Sequence, residues 1–211
     1  MRQTRIGAES PARAGDARVE RGAGRTAGKP GPIAALAAAA MLAACAATTY
    51  AGRPSIQEVE SRMPRDIADF MRGDSAIRPG PVLTLDYATA NRAAVATVQV
   101  YDVAGLAAPS DPAAPEIERE LDAAVAMVTE VPAGRTGRRL TERGRMTVVD
   151  ARLRCARMEG SFGRAPVERT LCVGGAEGRF VKIQVTMAVR SPAPADAIAF
   201  ATGAAHAVRE G

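Results

Sequence analysis

Beyond Val82 the chain alternates apolar and polar residues in short runs bounded by turn residues, a pattern that predicts β-strands. Leu83, Leu85 and Tyr87 share one face of a strand over 82–87. Thr89-Ala90-Asn91-Arg92 reads as a turn, and residues 93–101 as a second, β-branched strand. The period then changes. Ile117, Leu121, Ala124, Val125 and Val128 form one helical stripe, with Asp111-Pro112 as the expected N-cap and first helical proline. Glu116, Glu118 and Glu120 fall near its positive end, and Pro132-Ala133-Gly134 is the expected stop. Four strands should follow, over 138–143, 146–157, 167–173 and 179–189. The last is the clearest, with Val181, Ile183, Val185, Met187 and Val189 on a buried face and Lys182, Gln184 and Thr186 on a wet one. After Ser191-Pro192-Ala193-Pro194, a helix over 195–209 turns Ile198, Ala201, Ala205 and Val208 inward. This order predicts an α+β domain: an antiparallel sheet of about five or six strands with two helices packed on one face.

Upstream the pattern is different. Ser55-Ile56-Gln57-Glu58 has capping-box spacing and predicts a short helix up to Pro64, with a second turn over 65–71. Arg78-Pro79-Gly80-Pro81 is a cluster of breakers, so the compact domain is expected over 81–211 and a membrane tether over 45–80. Residues 33–44 are nearly all Ala, Leu, Ile or Met, a run of twelve. A membrane-crossing helix needs about 20 apolar residues, so this run suits the core of a signal peptide instead. Arg21, Arg25 and Lys29 precede it with no acid between them. Glu9, Asp16 and Glu20 make the first twenty residues an unusual leader, and translation from Val19 would leave an ordinary one.

The apolar run closes on Leu42-Ala43-Ala44-Cys45, which resembles the lipobox of bacterial lipoproteins. The resemblance covers the leader and signal peptide (1–44) and the cysteine after it. It implies cleavage before Cys45, acylation of that cysteine, and a domain held in the cell envelope by acyl chains. Ala46 resembles the class sorted to the periplasmic face of the outer membrane. Two alternatives stand beside it: a secretory signal cut near Ala47 that discards Cys45, and a buried Ala-rich helix of a cytosolic protein. The order of elements in the mature region is similar to the Mog1/PsbP-like sandwich, a resemblance that implies a fold and no function.

Lipidation of Cys45 leaves Cys155 and Cys172, placed symmetrically about Gly163-Arg164 as partners across a hairpin. A disulfide there closes a loop of 18 residues, worth about 3 kcal/mol. Alternation sets Cys155 on the face of Leu153 but Cys172 opposite that of Leu171 and Val173. Pairing is therefore expected to need a bulge at Gly174-Gly175 or another register. Two small buried thiols are the alternative.

The whole chain carries a net charge of +5, but residues 45–211 hold 21 basic and 20 acidic residues. The basic isoelectric point thus belongs partly to the leader, and no nucleic-acid partner follows from it. Charge is unevenly distributed, at −6 over 45–134 and +8 over 135–190. Arg138, Arg139, Arg143, Arg145, Arg152 and Arg154 fall on consecutive expected strands. Arginine's planar fork suits phosphate and carboxylate. Arg139, Arg143, Arg152, Arg154 and Lys182 are therefore the candidate anion-binding face, fitted to an anionic envelope polymer or an acidic protein. The competing expectation is a solvated sheet face whose arginines pair with local acids and protect an edge strand.

Other chemistry is thinly represented. His206 is the sole histidine and no serine sits in a nucleophile-elbow setting, so neither a catalytic triad nor a zinc site is expected. Gly174-Gly175-Ala176-Glu177-Gly178 precedes a strand rather than a helix and reads as a hairpin turn, not a phosphate loop. No cofactor is expected. The first expectation for function is a non-catalytic, lipid-anchored binding or structural module. A binder of anionic envelope components and a hydrolase with an unrecognised carboxylate site are the alternatives; nothing in the sequence singles out two acids, Glu142 and Asp150 for example, as its pair.

Overall fold

The computed structural model describes residues 52–130 and 137–210. Its elements are α1 (Ile56–Arg62), β1 (Asp66–Ile67), β2 (Phe70–Arg78), β3 (Val82–Ala88), β4 (Ala94–Tyr101), α2 (Pro115–Thr129), β5 (Arg138–Val148), β6 (Leu153–Phe162), β7 (Ala165–Ala176), β8 (Arg179–Ala188) and α3 (Ala197–Glu210). The strands make one antiparallel sheet of eight, in the order β1-β2-β3-β4-β8-β7-β6-β5. The α+β class is as expected, but the sheet is larger.

The extra strands come from residues 66–78, expected as a helical turn and the end of a tether. Only Phe70 is buried in β2, whose other side chains are exposed or partly so, and such an edge strand carries no readable alternation. The compact unit runs from Tyr50 to Gly211, so the domain starts well before the expected boundary at 81. Its α1 begins as predicted: the Glu58 amide donates to Ser55 Oγ at 3.1 Å, and the Ser55 amide donates back to the Glu58 carboxylate. Ile56 and Val59 are buried. Arg78-Pro79-Gly80-Pro81 is the β2–β3 turn rather than a domain boundary.

The block expected as 138–143 and 146–157 is also divided differently. β5 runs through Arg143-Gly144 by a bulge between Glu142 and Gly144, and the connection to β6 falls at 149–152. The period-2 pattern passes smoothly through that connection because Val149 and Ala151 happen to keep the alternation. Likewise α2 starts at Pro115 with Ala114 as N-cap, three residues after the expected start, while Asp111 accepts the Ala113 amide in the preceding turn. The expected stop at Pro132-Ala133-Gly134 lies outside the described residues.

The two long helices lie on opposite faces of the sheet, not on one. Under α1 and α3 one core gathers Leu83, Leu85, Tyr87, Val98, Leu153, Cys155, Cys172, Val181, Ile183 and Phe200. Under α2 a second core joins Ile117, Leu121 and Val125 to Ala156, Met158, Leu171, Val173 and Phe180. Strands β6, β7 and β8 are thus apolar on both sides of the pleat over part of their length, which a one-sided reading of alternation does not anticipate. Helix α3 approaches closely through its small residues: a Cβ on Gly203 would stand 2.7 Å from Ile67 Cγ2. Phe200 fills the space beside it, its ring centroid 4.6 Å from Phe70 and 5.2 Å from Tyr87.

Candidate anion-binding surface

The register of β6 and β7 places Cys155 directly opposite Cys172, with Cα atoms 4.0 Å apart and a disulfide between them. No bulge is required. Leu153 and Leu171 face different cores, so the assumption that they share a face is what made the pairing look out of register. The bond is buried under the α3 side of the sheet. Cys45 lies outside the described residues.

The five residues of the expected anion-binding face do not converge. Arg154 lies on the α2 side, where its Nε donates to Glu118 at 2.8 Å. Lys182 is on that side too, its ammonium 5.5 Å from the Tyr101 ring centroid. Burial pushes the Lys182 ammonium below its ordinary pKa, with Glu120 opposing. Arg143 sits at the β5 bulge and pairs with Glu159 at 3.2 Å. Arg139 lies two register positions before Thr141, near the opposite end of β5 from Arg154's partner Thr147. Arg152 occupies the β5–β6 connection with a φ of 46°. The strand geometry separates Arg139 from Arg154 by about 20 Å.

What stands on the strands instead is a belt of arginine–carboxylate pairs fastening α2 to the sheet. Arg145 reaches Glu118, Asp122 at 2.7 Å and Glu142 at 2.6 Å. These partners raise the Arg145 pKa, Glu142 most strongly. The arginines in turn hold the Glu118 carboxyl below its ordinary value, Arg154 contributing most and burial opposing. Tyr101 donates to Glu120 at 2.8 Å, and burial beside that carboxylate pushes its phenol pKa up. On the other face Arg157 pairs with Glu159 at 3.0 Å and Glu168 at 3.8 Å. Glu118 and Asp122 of the acidic first segment thus meet Arg145 and Arg154 of the basic second, while Arg143 and Arg157 are met by Glu159 and Glu168 of their own segment. Sequence held the signal for this, the opposite charge of the two halves, but not the crossing that brings Glu118 between Arg145 and Arg154.

A second cluster ties the N-terminal segment to the sheet. Arg53 pairs with Asp102, just past β4, and Arg179 Nη1 donates to the Pro54 carbonyl at 2.7 Å. Arg62 pairs with Glu177 in the β7–β8 turn at 3.3 Å. Burial lowers the Arg179 pKa, and neighbouring Arg53 lowers it further. His206 is half-exposed on α3, its Nε2 3.1 Å from the Asp150 carbonyl oxygen. Among the described residues no group of three or more His, Cys, Asp or Glu is placed to hold a metal ion. Two grooves lie on the α3 side. One, of about 500 Å³, is lined by Asp69, Glu168, Met187, Asp196 and Ile198, but Asp196 is occupied in capping the start of α3. The other, of about 360 Å³, holds the Arg143–Glu159–Arg157 pairs. Among the described residues no helix is long and apolar enough to cross a membrane.

Glu142 and Asp150, the carboxylates offered as an example of a hydrolytic pair, are not a unit: Glu142 is bound to Arg145 in β5, and Asp150 is in the β5–β6 connection. No protein family, curated protein or solved structure matches the chain, so the Mog1/PsbP-like order has no solved counterpart to support it.

Proposed function

We propose that this chain is a lipid-anchored lipoprotein of the cell envelope, on the periplasmic face of the outer membrane, whose domain acts as a non-catalytic binding or structural module. The observation that carries the reading is the placement of Leu42-Ala43-Ala44-Cys45, at the end of a short apolar run and five residues before the compact unit begins at Tyr50. Cleavage before Cys45 releases that unit whole, with Ala46 to Thr49 as a tether. The Cys155–Cys172 disulfide suits an oxidising compartment, where such bonds persist.

Intact mass of the protein extracted from its membrane tests the reading. A chain starting at Cys45, heavier by a diacylglyceryl group and a further acyl chain and lighter by the two hydrogens of the disulfide, is the expected result. An unmodified full-length chain, or one starting near Ala47, overturns the anchor.

A further inference from the structure

We propose that the end of the sheet opposite the N-terminal segment docks on an anionic lipid bilayer, with Arg92, Arg139, Arg164 and Arg190 at headgroup phosphates and Phe162 and Val189 entering the interface between them. The register builds this rim. Arg92 ends the β3–β4 turn, Ala94 pairs with Met187 near the end of β8, Val167 pairs with Ala188, Phe162 pairs with Ala165 across the β6–β7 tip, and Arg139 pairs with Ser161. Arg164 stands at that tip, and Arg190 follows Val189, whose amide donates to the Pro166 carbonyl at 3.1 Å. Four strand spacings separate β4 from β5, so the arc is about 19 Å long. That length exceeds one phosphate and suits several headgroups side by side.

The rim's four arginines are exposed and, among the described residues, no ion pair engages them; at the other end Arg53, Arg62 and Arg179 are paired with Asp102 and Glu177, while Arg78 and Arg152 are exposed as well. Of the acids nearest the rim, Glu159 and Glu168 are committed to Arg143 and Arg157, and Asp196 to the start of α3, while Asp69 stands beside them in the β1–β2 turn. The rim is also not purely polar, since Phe162 is 54% and Val189 51% exposed. A soluble polyanion would pair with the arginines and leave that apolar surface unexplained. A bilayer interface takes both, the guanidinium at the phosphates and the ring just below them. Asp102, where the N-terminal segment joins the sheet, is a β4 length away, about 25 Å. Docking of the rim does not rest on acylation of Cys45.

The test uses the chain from Tyr50, which keeps both cores and lacks Cys45. The protein has no tryptophan, so Phe162→Trp adds a single reporter at the rim. Vesicles of phosphatidylcholine with phosphatidylglycerol should shift its emission to the blue and co-sediment the protein; phosphatidylcholine alone should do neither. Arg164→Ala and Arg190→Ala should each weaken co-sedimentation about fivefold, the equivalent of about 1 kcal/mol per basic residue at such a surface. Phe162→Ser should weaken it while leaving all four arginines in place. Absence of a blue shift, or binding unchanged in the doubly substituted Arg164→Ala/Arg190→Ala chain, overturns the proposal. So does tight binding to soluble polyphosphate with no binding to the vesicles, which would assign the rim to a polymer. Because Cys45 is absent, none of these outcomes bears on the anchor.

Discussion

The two faces of the sheet are closed by different physics. Under α3 the contact is close and apolar: small helix residues let the backbone approach, Phe200 meets Phe70 at a tilt and Tyr87 edge-on, and the disulfide lies in the same core. Under α2 an apolar stripe of Ile117, Leu121, Ala124 and Val125 is bordered by charge, with Glu118 and Asp122 on Arg145 and Glu118 on Arg154. Dispersion and shape supply most of the first face, with Arg209 at the end of α3 donating to the Ala151 carbonyl at 2.6 Å, and respond weakly to salt or pH. The second adds ion pairs that solvent reaches, each worth little singly and screened by salt. The comparison teaches that charge segregation along a chain need not advertise a binding surface. Here part of it is consumed in docking one helix, with Arg145 and Arg154 on Glu118 and Asp122.

The largest effects should fall on the α3 face. Phe200→Ala removes a fully buried ring between two others, at an expected cost of about 3–5 kcal/mol in denaturant unfolding, independent of salt. A loss below about 1 kcal/mol would mean that the face closes around the gap and that its close packing is not what holds it. Next, replacing Cys155 and Cys172 together by Ala opens a link of sequence separation 17, for about 3 kcal/mol. On the α2 face, Gly175→Ala brings a Cβ to 2.0 Å from the Pro109 carbonyl oxygen in the segment leading to the helix. Overpacking of this kind costs about 1–3 kcal/mol. Stability unchanged by Gly175→Ala would show that the leading segment is free to move aside and plays no part in seating α2.

Much of the fold was legible because most elements obey a single period. The α2 stripe, the inward set of β8 from Val181 to Met187, and the Ser55–Glu58 cap all appear where the pattern put them. Three features were not legible, each for a physical reason. β2 is an edge strand buried only at Phe70, so it has no alternation to read. β6 and β7 are apolar on both sides, which hid the opposite placement of the helices and made the cysteines look mismatched. The candidate anion-binding residues follow the charge carried by successive strands, yet a pleated hairpin sends neighbours to opposite faces and distant ends. Phe200 was passed over for Ile198, whose position on the helix leaves it only partly buried.

The smallest effect tests the ionic half of the comparison most directly. Glu118 accepts from Arg154 at 2.8 Å and also pairs with Arg145, and these partners hold its carboxyl below the ordinary 4.5 despite an opposing contribution from burial. A depressed folded-state pKa means that the contribution to stability is complete above the unfolded value and is lost as pH falls through the folded one. The side chain is 37% exposed, so solvent screening limits Glu118→Gln to about 1 kcal/mol near neutral pH. The gap between the native chain and this variant should therefore close as pH drops from about 6 to about 3 and narrow at high salt. Phe200→Ala should show neither trend. If the Glu118→Gln gap stays constant across that range, the carboxylate acts through its shape and hydrogen bonds alone. Asp122 and Glu142, the other partners of Arg145, would then carry whatever acid sensitivity the α2 face has.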